Sequence, residues 1–141
     1  METMIGNVAA ALQTGLPVLL LHFVTTLALL GLGIVCYMAI TPFHEPTLMA
    51  KGNVAAGIVM AGTVVALAIP LAATLATSIV VLDILLWGLV ALFLQIVTFA
   101  IASMVVRRLR AMIESGNIAA ALMLVGIQIA VALLNAGAMA G

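Results

Sequence analysis

The feature that most constrains this chain is that charged side chains are nearly absent from its sequence. Of 141 residues, 67% are hydrophobic and only 6% are charged, with four basic and four acidic side chains. A soluble domain carries about a quarter charged residues, so this chain cannot cover a water-facing surface. Its many small and aliphatic residues are typical of helices that pack closely inside a lipid bilayer. The composition excludes a soluble globular fold, a disordered chain and a nucleic-acid binder, which would need a basic excess.

Long apolar stretches divide the sequence into four predicted membrane-spanning helices. A helix needs roughly 20 apolar residues to cross the hydrocarbon core of a bilayer. The sequence provides such stretches at about 16–40, 54–80, 84–106 and 118–140. One continuous helix over 54–106 would be too long for a bilayer, so a tight turn is expected at Asp83, whose carboxylate would cap the third span. The chain is therefore predicted to be an all-α integral membrane protein.

Prolines mark both ends of the first span. It is predicted to begin near Leu16, with Pro17 in the first turn, where a missing N–H costs nothing. It ends before Pro42 and Pro46, which cannot continue a helix. The preceding segment 1–14 carries apolar residues at helical spacing, namely Met4, Ile5, Val8 and Leu12. This segment is predicted to form a short helix at the outer membrane interface, with a frayed tail as the alternative.

All four basic residues fall in the two loops that follow the first and third spans. Lys51 lies in one loop, and Arg107, Arg108 and Arg110 lie in the other. Because cytoplasmic loops are enriched in Lys and Arg, both loops are predicted to be cytoplasmic and both termini to lie outside a bacterial inner membrane. This basic cluster is expected to contact anionic lipids. A docking surface for a cytoplasmic protein is the alternative.

The fourth span repeats the pattern of the second. Gly-Asn-Val-Ala-Ala, beginning at Gly52, returns as Gly-Asn-Ile-Ala-Ala at Gly116, and small residues match further along, namely Gly62 with Gly126 and Ala66 with Ala130. Asn53 and Asn117, just before these spans, are interpreted as helix caps. Because small residues let helices approach closely, the second and fourth spans are expected to be central. The chain is predicted to consist of two tandem repeated hairpins, 15–80 and 81–141.

Two glutamines are predicted to meet near the middle of the bilayer. Gln95 lies about 18 Å along the third span, and Gln128 lies about 15 Å along the fourth, which enters from the opposite side. Thr63 and Thr98 lie close to the same depth and are candidates for the same polar contact. An unpaired amide in hydrocarbon is costly, so the two glutamines are expected to be mutual partners in an interhelical clamp. Part of a polar path is the alternative interpretation.

A second polar group lies in the outer half of the spans. Pro70 removes one backbone hydrogen bond from the second span. A polar stripe is predicted from the outer surface to the middle of the bilayer, through Asp83, Asn135, Thr74, Pro70 and Gln128. His22, on the first span, is interpreted as a hydrogen-bonded interior or interfacial side chain and not as a ligand.

Several short motifs give the sequence a family resemblance. In chain order they are Thr41-Pro42, Glu45, the Asn-x-Ala-Ala at Asn53, Ile69-Pro70-Leu71, Asp83 with Trp87-Gly88, the Asn-x-Ala-Ala at Asn117, and Asn135. From the first span onward the chain resembles the YjfL-like inner-membrane proteins, the domain of unknown function 350 family. The resemblance implies a four-span bacterial inner-membrane protein made of two similar hairpins. It implies no reaction and no substrate.

No combination of side chains predicts an enzyme. The sequence has no recognisable nucleophile-and-base set, no phosphate-binding loop and no His-rich metal site, so no cofactor is expected. The acidic residues lie at span boundaries, which argues against proton-coupled exchange. The expected function is a non-enzymatic accessory or scaffold component of a membrane assembly, acting as a homo-oligomer or with a cytoplasmic or membrane protein partner. The alternative is an oligomeric channel or transporter for a small ion or solute.

The one-sided distribution of basic residues gives a test of topology. In a background lacking Cys36, the substitutions Lys51→Cys and Arg110→Cys should resist impermeant thiol reagents in intact cells, because both loops are predicted to be cytoplasmic. Permeabilised cells provide the positive control. Labelling of either cysteine from outside would overturn the orientation.

Overall fold

The computed structural model of the protein describes residues 2–141, which form six α-helices joined by short turns. These are α1 (Glu2–Ile40), α2 (Glu45–Ala50), α3 (Val54–Thr77), α4 (Val81–Val105), α5 (Leu109–Glu114) and α6 (Ile118–Ala140). Helices α1, α3, α4 and α6 are long and apolar enough to cross a membrane. The prediction of an all-α integral membrane protein with four transmembrane helices is confirmed.

Helix α1 is longer than the sequence predicted. It contains 39 residues, begins at Glu2 and includes Pro17 in its interior, so the predicted start near Leu16 is wrong. At a rise of 1.5 Å per residue it is about 58 Å long, nearly twice the thickness of the hydrocarbon core. The proline removes a single backbone hydrogen bond, and the many Ala and Leu residues around it favour the helix. The interface location of segment 1–14 stays a prediction, and its residue 1 lies outside the described residues.

The turn between α3 and α4 differs from the prediction. Helix α3 ends at Thr77, and Val80 occupies the N-cap position of α4 without a side-chain cap. Asp83 therefore lies inside the first turn, where its own N–H donates to the Val80 carbonyl at 3.1 Å. The predicted Asp83 cap is wrong, because the chain turns three residues earlier than the charge suggested. The carboxylate still lies near the positive end of the α4 dipole.

Two apolar clusters fill the bundle, one towards each end. The cluster at the end of the two basic loops, here called the loop end, includes Tyr37, Phe99 and Leu124. The opposite, far-end cluster is formed by Leu29, Leu67, Leu71, Ile84 and Leu92. Between the clusters lie three buried polar side chains, here called the middle layer, namely Thr63, Gln95 and Gln128. The interior thus alternates between apolar, polar and apolar layers.

Helix α3 is the centre of the bundle, and it contacts every other helix of residues 2–141. At Gly62 the backbone approaches α6 so closely that an added Cβ would lie 2.3 Å from Val125 Cγ2. Gly126 is different, because nothing lies within 4 Å of a Cβ added there. Ala130 is also exposed. The prediction that Gly126 and Ala130 pack inside this bundle is wrong, because α6 turns its opposite face to α3, burying Ala120, Ala121, Leu124, Gln128 and Ala132.

Both basic loops contain a short helix that the sequence analysis missed, α2 in one and α5 in the other. Each short helix is followed, two residues after its last residue, by a left-handed glycine, with φ of +79° at Gly52 and +81° at Gly116, a conformation that glycine adopts without strain. The next residue caps the following long helix, since Asn53 accepts from the Ala56 N–H and Asn117 from the Ala120 N–H, each at 3.0 Å. The two loops share this geometry, while the duplication itself stays a prediction.

One cap residue also joins the two loops. The Asn53 amide nitrogen donates to the carbonyls of Ile113 and Glu114 at 2.9 and 3.1 Å, across 60 and 61 residues of sequence. The side chain of Asn117 shows no corresponding cross-loop bond among residues 2–141. Asn53 is therefore both a cap and a clamp, and it holds the two basic loops at the same end of the bundle.

This difference predicts unequal effects of matched substitutions. Asn117→Ala removes a cap and should lower the free energy of unfolding by about 1 kcal/mol. Asn53→Ala removes the same cap and two cross-loop bonds, so its loss should be larger by about 1 kcal/mol. Reversible unfolding in mixed detergent micelles measures both. The controls are Asn53→Asp and Asn117→Asp, which keep the cap acceptor, and only Asn53→Asp should destabilise. Equal losses at the two asparagines would contradict the clamp.

Candidate functional site

The middle layer joins three helices through side-chain hydrogen bonds. The Gln95 amide nitrogen of α4 donates to the main-chain carbonyl of Gln128 at 2.7 Å. The Thr63 hydroxyl of α3 donates to Gln128 Oε1 at 3.1 Å. All three residues are buried. The predicted meeting of the two glutamines occurs, but the predicted amide-to-amide pair is wrong, because the Gln128 side chain is bonded to Thr63 and offers Gln95 only its backbone.

Thr98 does not belong to the middle layer. Its hydroxyl donates to the Leu94 carbonyl of the same helix at 2.8 Å, a bond that a threonine within a helix makes readily. Thr98 therefore does not supply the donor that Gln95 Oε1 lacks, since this oxygen is buried without a hydrogen-bond partner among the described residues. The prediction that Thr98 shares the polar contact is therefore wrong.

A buried polar group at the loop end was missed by the sequence analysis. Tyr37 and Glu45 are each 1% exposed, and the Tyr37 ring packs edge-on against Phe99 with centroids 4.8 Å apart. The side chains of Thr41, Glu45 and Thr63 surround the Tyr37 hydroxyl. Within residues 2–141, neither this hydroxyl nor Glu45 Oε1 has a hydrogen-bond partner. Glu45 is thus a buried carboxylate. The sequence feature that could have indicated its burial is the pair of prolines that flanks it, Pro42 and Pro46.

The far end of the bundle contains a cleft of about 540 Å³. Its walls come from the end of α3, the start of α4 and the end of α6. The residues that line this far cleft are Thr74, Thr77, Ser78, Asp83, Trp87, Val90, Leu94, Asn135, Ala138 and Met139. The far cleft thus brings together a carboxylate, an amide, three hydroxyl groups and an indole.

Hydrogen bonds inside the far cleft leave some polar groups free. The Thr74 hydroxyl donates to the Pro70 carbonyl at 2.9 Å and lies 3.4 Å from Met139 Sδ. The Asn135 amide nitrogen is buried and has no partner among residues 2–141. Asp83 is the charged residue of the lining.

The predicted polar stripe is only partly formed. Asp83, Asn135 and Thr74 share the far cleft, whereas Gln128 belongs to the middle layer. Pro70 is buried and lines neither of the two described cavities. Along α3, Leu67 and Leu71 of the far-end cluster lie between Thr63 and Thr74. Apolar side chains therefore separate the two polar levels.

His22 lies apart from these groups. It is partly exposed on α1, and its backbone carbonyl accepts from the Thr26 hydroxyl at 2.8 Å. It lines neither the far cleft nor a smaller cavity of about 180 Å³ between α1 and α3, which is almost wholly apolar.

The basic residues form an exposed surface at the loop end. Lys51, Arg107, Arg108 and Arg110 are all exposed. Arg110 Nε lies 2.8 Å from Glu114 Oε1, one turn along α5, in an exposed pair of the kind that contributes less than about 1 kcal/mol. The structure thus brings all four predicted residues to one end of the bundle.

Comparison with known proteins assigns the chain to a family. The model of a family described as Domain of Unknown Function (DUF350) matches residues 6–139. The chain belongs to the DUF350 family. The UPF0719 inner membrane protein YjfL of Escherichia coli strain K12 is 28% identical over 118 residues, which is 84% of this chain and 89% of the relative, and the O157:H7 protein of that name matches equally. No solved structure matches.

Family membership supports the location that the composition predicted. With four apolar helices and an inner-membrane relative, this DUF350 protein is a multi-pass protein of the bacterial inner membrane. The orientation of its loops and termini stays a prediction.

The bonds of the middle layer predict which substitutions are coupled. Thr63→Val and Gln128→Leu break the same bond, so a double-mutant cycle should give a coupling energy of about 0.6 kcal/mol, the average for bonds between membrane helices. Gln95→Leu and Gln128→Leu should couple more weakly than that pair, because Gln128→Leu leaves the carbonyl that Gln95 uses. Unfolding in mixed micelles measures both cycles. Strong coupling of the two glutamines and none of Thr63 would contradict the geometry.

Proposed function

We propose that this protein is a non-enzymatic accessory or scaffold component of an inner-membrane assembly, and that it works as a homo-oligomer. Two features support the proposal. The interior is closed by apolar clusters on both sides of the middle layer, as a structural bundle requires. The outward face of α6 has a surface suited to contact with another helix.

The main support for the proposal is the outward face of α6. Small residues recur along it at helical spacing, and each is exposed, namely Ala119, Gly126, Ala130 and Gly137. A side chain at Gly126 or Gly137 would meet no other part of the chain within 4 Å, so packing within one chain does not require either glycine. Such rows let two membrane helices approach closely, which is how helices associate where lipid offers no hydrophobic advantage. A second copy presenting the same face would complete a symmetric contact.

An oligomeric channel or transporter is the second candidate function. The observation in its favour is that buried polar atoms without partners occur at three levels of residues 2–141, at Tyr37 with Glu45, at Gln95 and at Asn135. Polar groups at such depth are costly and mark pathways in many membrane proteins. In one chain, apolar side chains separate the far cleft from the middle layer. Conduction would therefore require an oligomer in which a continuous polar path forms between these two levels. Solute-dependent flux into proteoliposomes would favour this candidate over the scaffold.

The scaffold proposal predicts a selective effect at Gly126. Gly126→Leu should weaken self-association by about tenfold, or about 1.4 kcal/mol, because a large side chain separates the two helices. Gly31→Leu is the matched control, since Gly31 is also exposed with nothing within 4 Å of an added Cβ, but lies on α1. Energy transfer between labelled copies in bilayers at varied protein density measures the dimerisation constant. A monomeric wild-type protein, or equal effects of the two substitutions, would contradict the homo-oligomer.

A further inference from the structure

The far cleft carries an unbalanced negative charge. Asp83 is its charged lining residue, and all four Lys and Arg residues of the chain lie in the loops at the opposite end. The cleft therefore favours a positively charged group. Trp87, one turn after Asp83 on α4, offers the face of an indole, which also attracts cations.

The polarity of the far cleft changes with depth. Along α4, at 1.5 Å per residue, Trp87 lies about 6 Å and Leu94 about 16 Å deeper than Asp83. Asn135 is seven residues beyond Gln128, and Gly88 is seven residues before its partner Gln95, so Asn135 lies at the level of Trp87 and Gly88. From the mouth inward, the lining thus contains a carboxylate, then Asn135, whose buried amide nitrogen has no partner among residues 2–141, then apolar side chains.

The deep part of the far cleft opens sideways to lipid. Val90 and Leu94 line it, yet they are 44% and 42% exposed on the bundle surface. Trp87 is also exposed, near the start of its span, and tryptophans are common where spans meet lipid headgroups. A ligand can therefore place an apolar tail along α4 while its polar head occupies the mouth.

This order of groups matches one class of molecule. We propose that the far cleft binds the headgroup of a zwitterionic aminophospholipid from the adjacent leaflet. Its ammonium group contacts the Asp83 carboxylate and the Trp87 ring, and its phosphate or ester oxygens accept from the Asn135 amide nitrogen. One acyl chain runs along Val90 and Leu94. A soluble zwitterion such as phosphoethanolamine shares the headgroup chemistry but lacks the chain, so the experiment separates the two sources.

The single tryptophan of the chain reports on this site directly. The full-length protein is reconstituted in nanodiscs of phosphatidylglycerol that contain a small fraction of either phosphatidylethanolamine or phosphatidylglycerol with brominated acyl chains. Bromine quenches Trp87 fluorescence on contact. We expect the association constant of the ethanolamine lipid to exceed that of the glycerol lipid by about fivefold, which is what a partly exposed charge pair supplies.

Variants identify the groups responsible. Asp83→Asn should remove the preference, Asp83→Glu should keep it, and the charge-matched control Glu114→Gln, at the loop end, should leave it unchanged. Asn135→Ala should reduce binding of the ethanolamine lipid. Circular dichroism before each titration confirms that the variant is helical, and the Asp83→Glu result separates loss of charge from loss of fold.

The outcomes decide both the site and the source of the ligand. Equal quenching by the two brominated lipids, or a preference that survives Asp83→Asn, overturns the proposal. Displacement of the brominated lipid by dissolved phosphoethanolamine at concentrations far below those of the lipid also overturns it, in favour of a soluble ligand. Lack of displacement, together with the Asp83-dependent preference, supports the lipid assignment.

Discussion

Polar groups inside a bilayer have no water to bind, and this constraint decides the interior of the bundle. Backbone groups are satisfied within the helices, and several threonines donate to a carbonyl of their own helix. The glutamine side chains bond instead between helices. The Gln95 amide donates to the Gln128 carbonyl, and the Gln128 amide oxygen accepts from Thr63. The middle layer therefore fixes α3, α4 and α6 at one level, and the two apolar clusters pack around that level.

The same requirement shapes the loops, because the first turn of each helix leaves backbone N–H groups without helical partners. An asparagine supplies the missing acceptor at both Asn53 and Asn117, and the preceding glycine turns the chain in a conformation that other residues adopt at a cost. Asn53 uses its remaining donor on the other loop, which brings the two hairpins together at the end that carries every Lys and Arg. One side chain thus both caps a helix and adds a link between the two loops.

The number of spans and the shared depth of the glutamines could be predicted from the sequence, because bilayer thickness and helical rise fix them. The two asparagine caps could also be predicted, from the local preference of helix starts for asparagine. The burial of Glu45 could not, since it results from packing of the first loop against α1 and α3. The face of α6 that turns inward was also beyond prediction. In a soluble helix a polar stripe marks the outside, but a lipid-facing helix is apolar all round, so its rotation about its axis leaves little trace in the sequence.

The rotation of each helix about its axis matters most at Gly62 and Gly126, which occupy equivalent positions in the two similar segments. In α3, Gly62 lies against Val125 and lets α6 approach. In α6, the equivalent glycine points away from the bundle, and nothing in the same chain lies near it. A helix interior disfavours glycine by about 0.5–1 kcal/mol relative to alanine, and at Gly126 no close packing within the chain offsets that cost. A close contact with another helix would offset it. Under the proposed homo-oligomer, the two similar segments would then serve different purposes, α3 packing within one chain and α6 against a second copy.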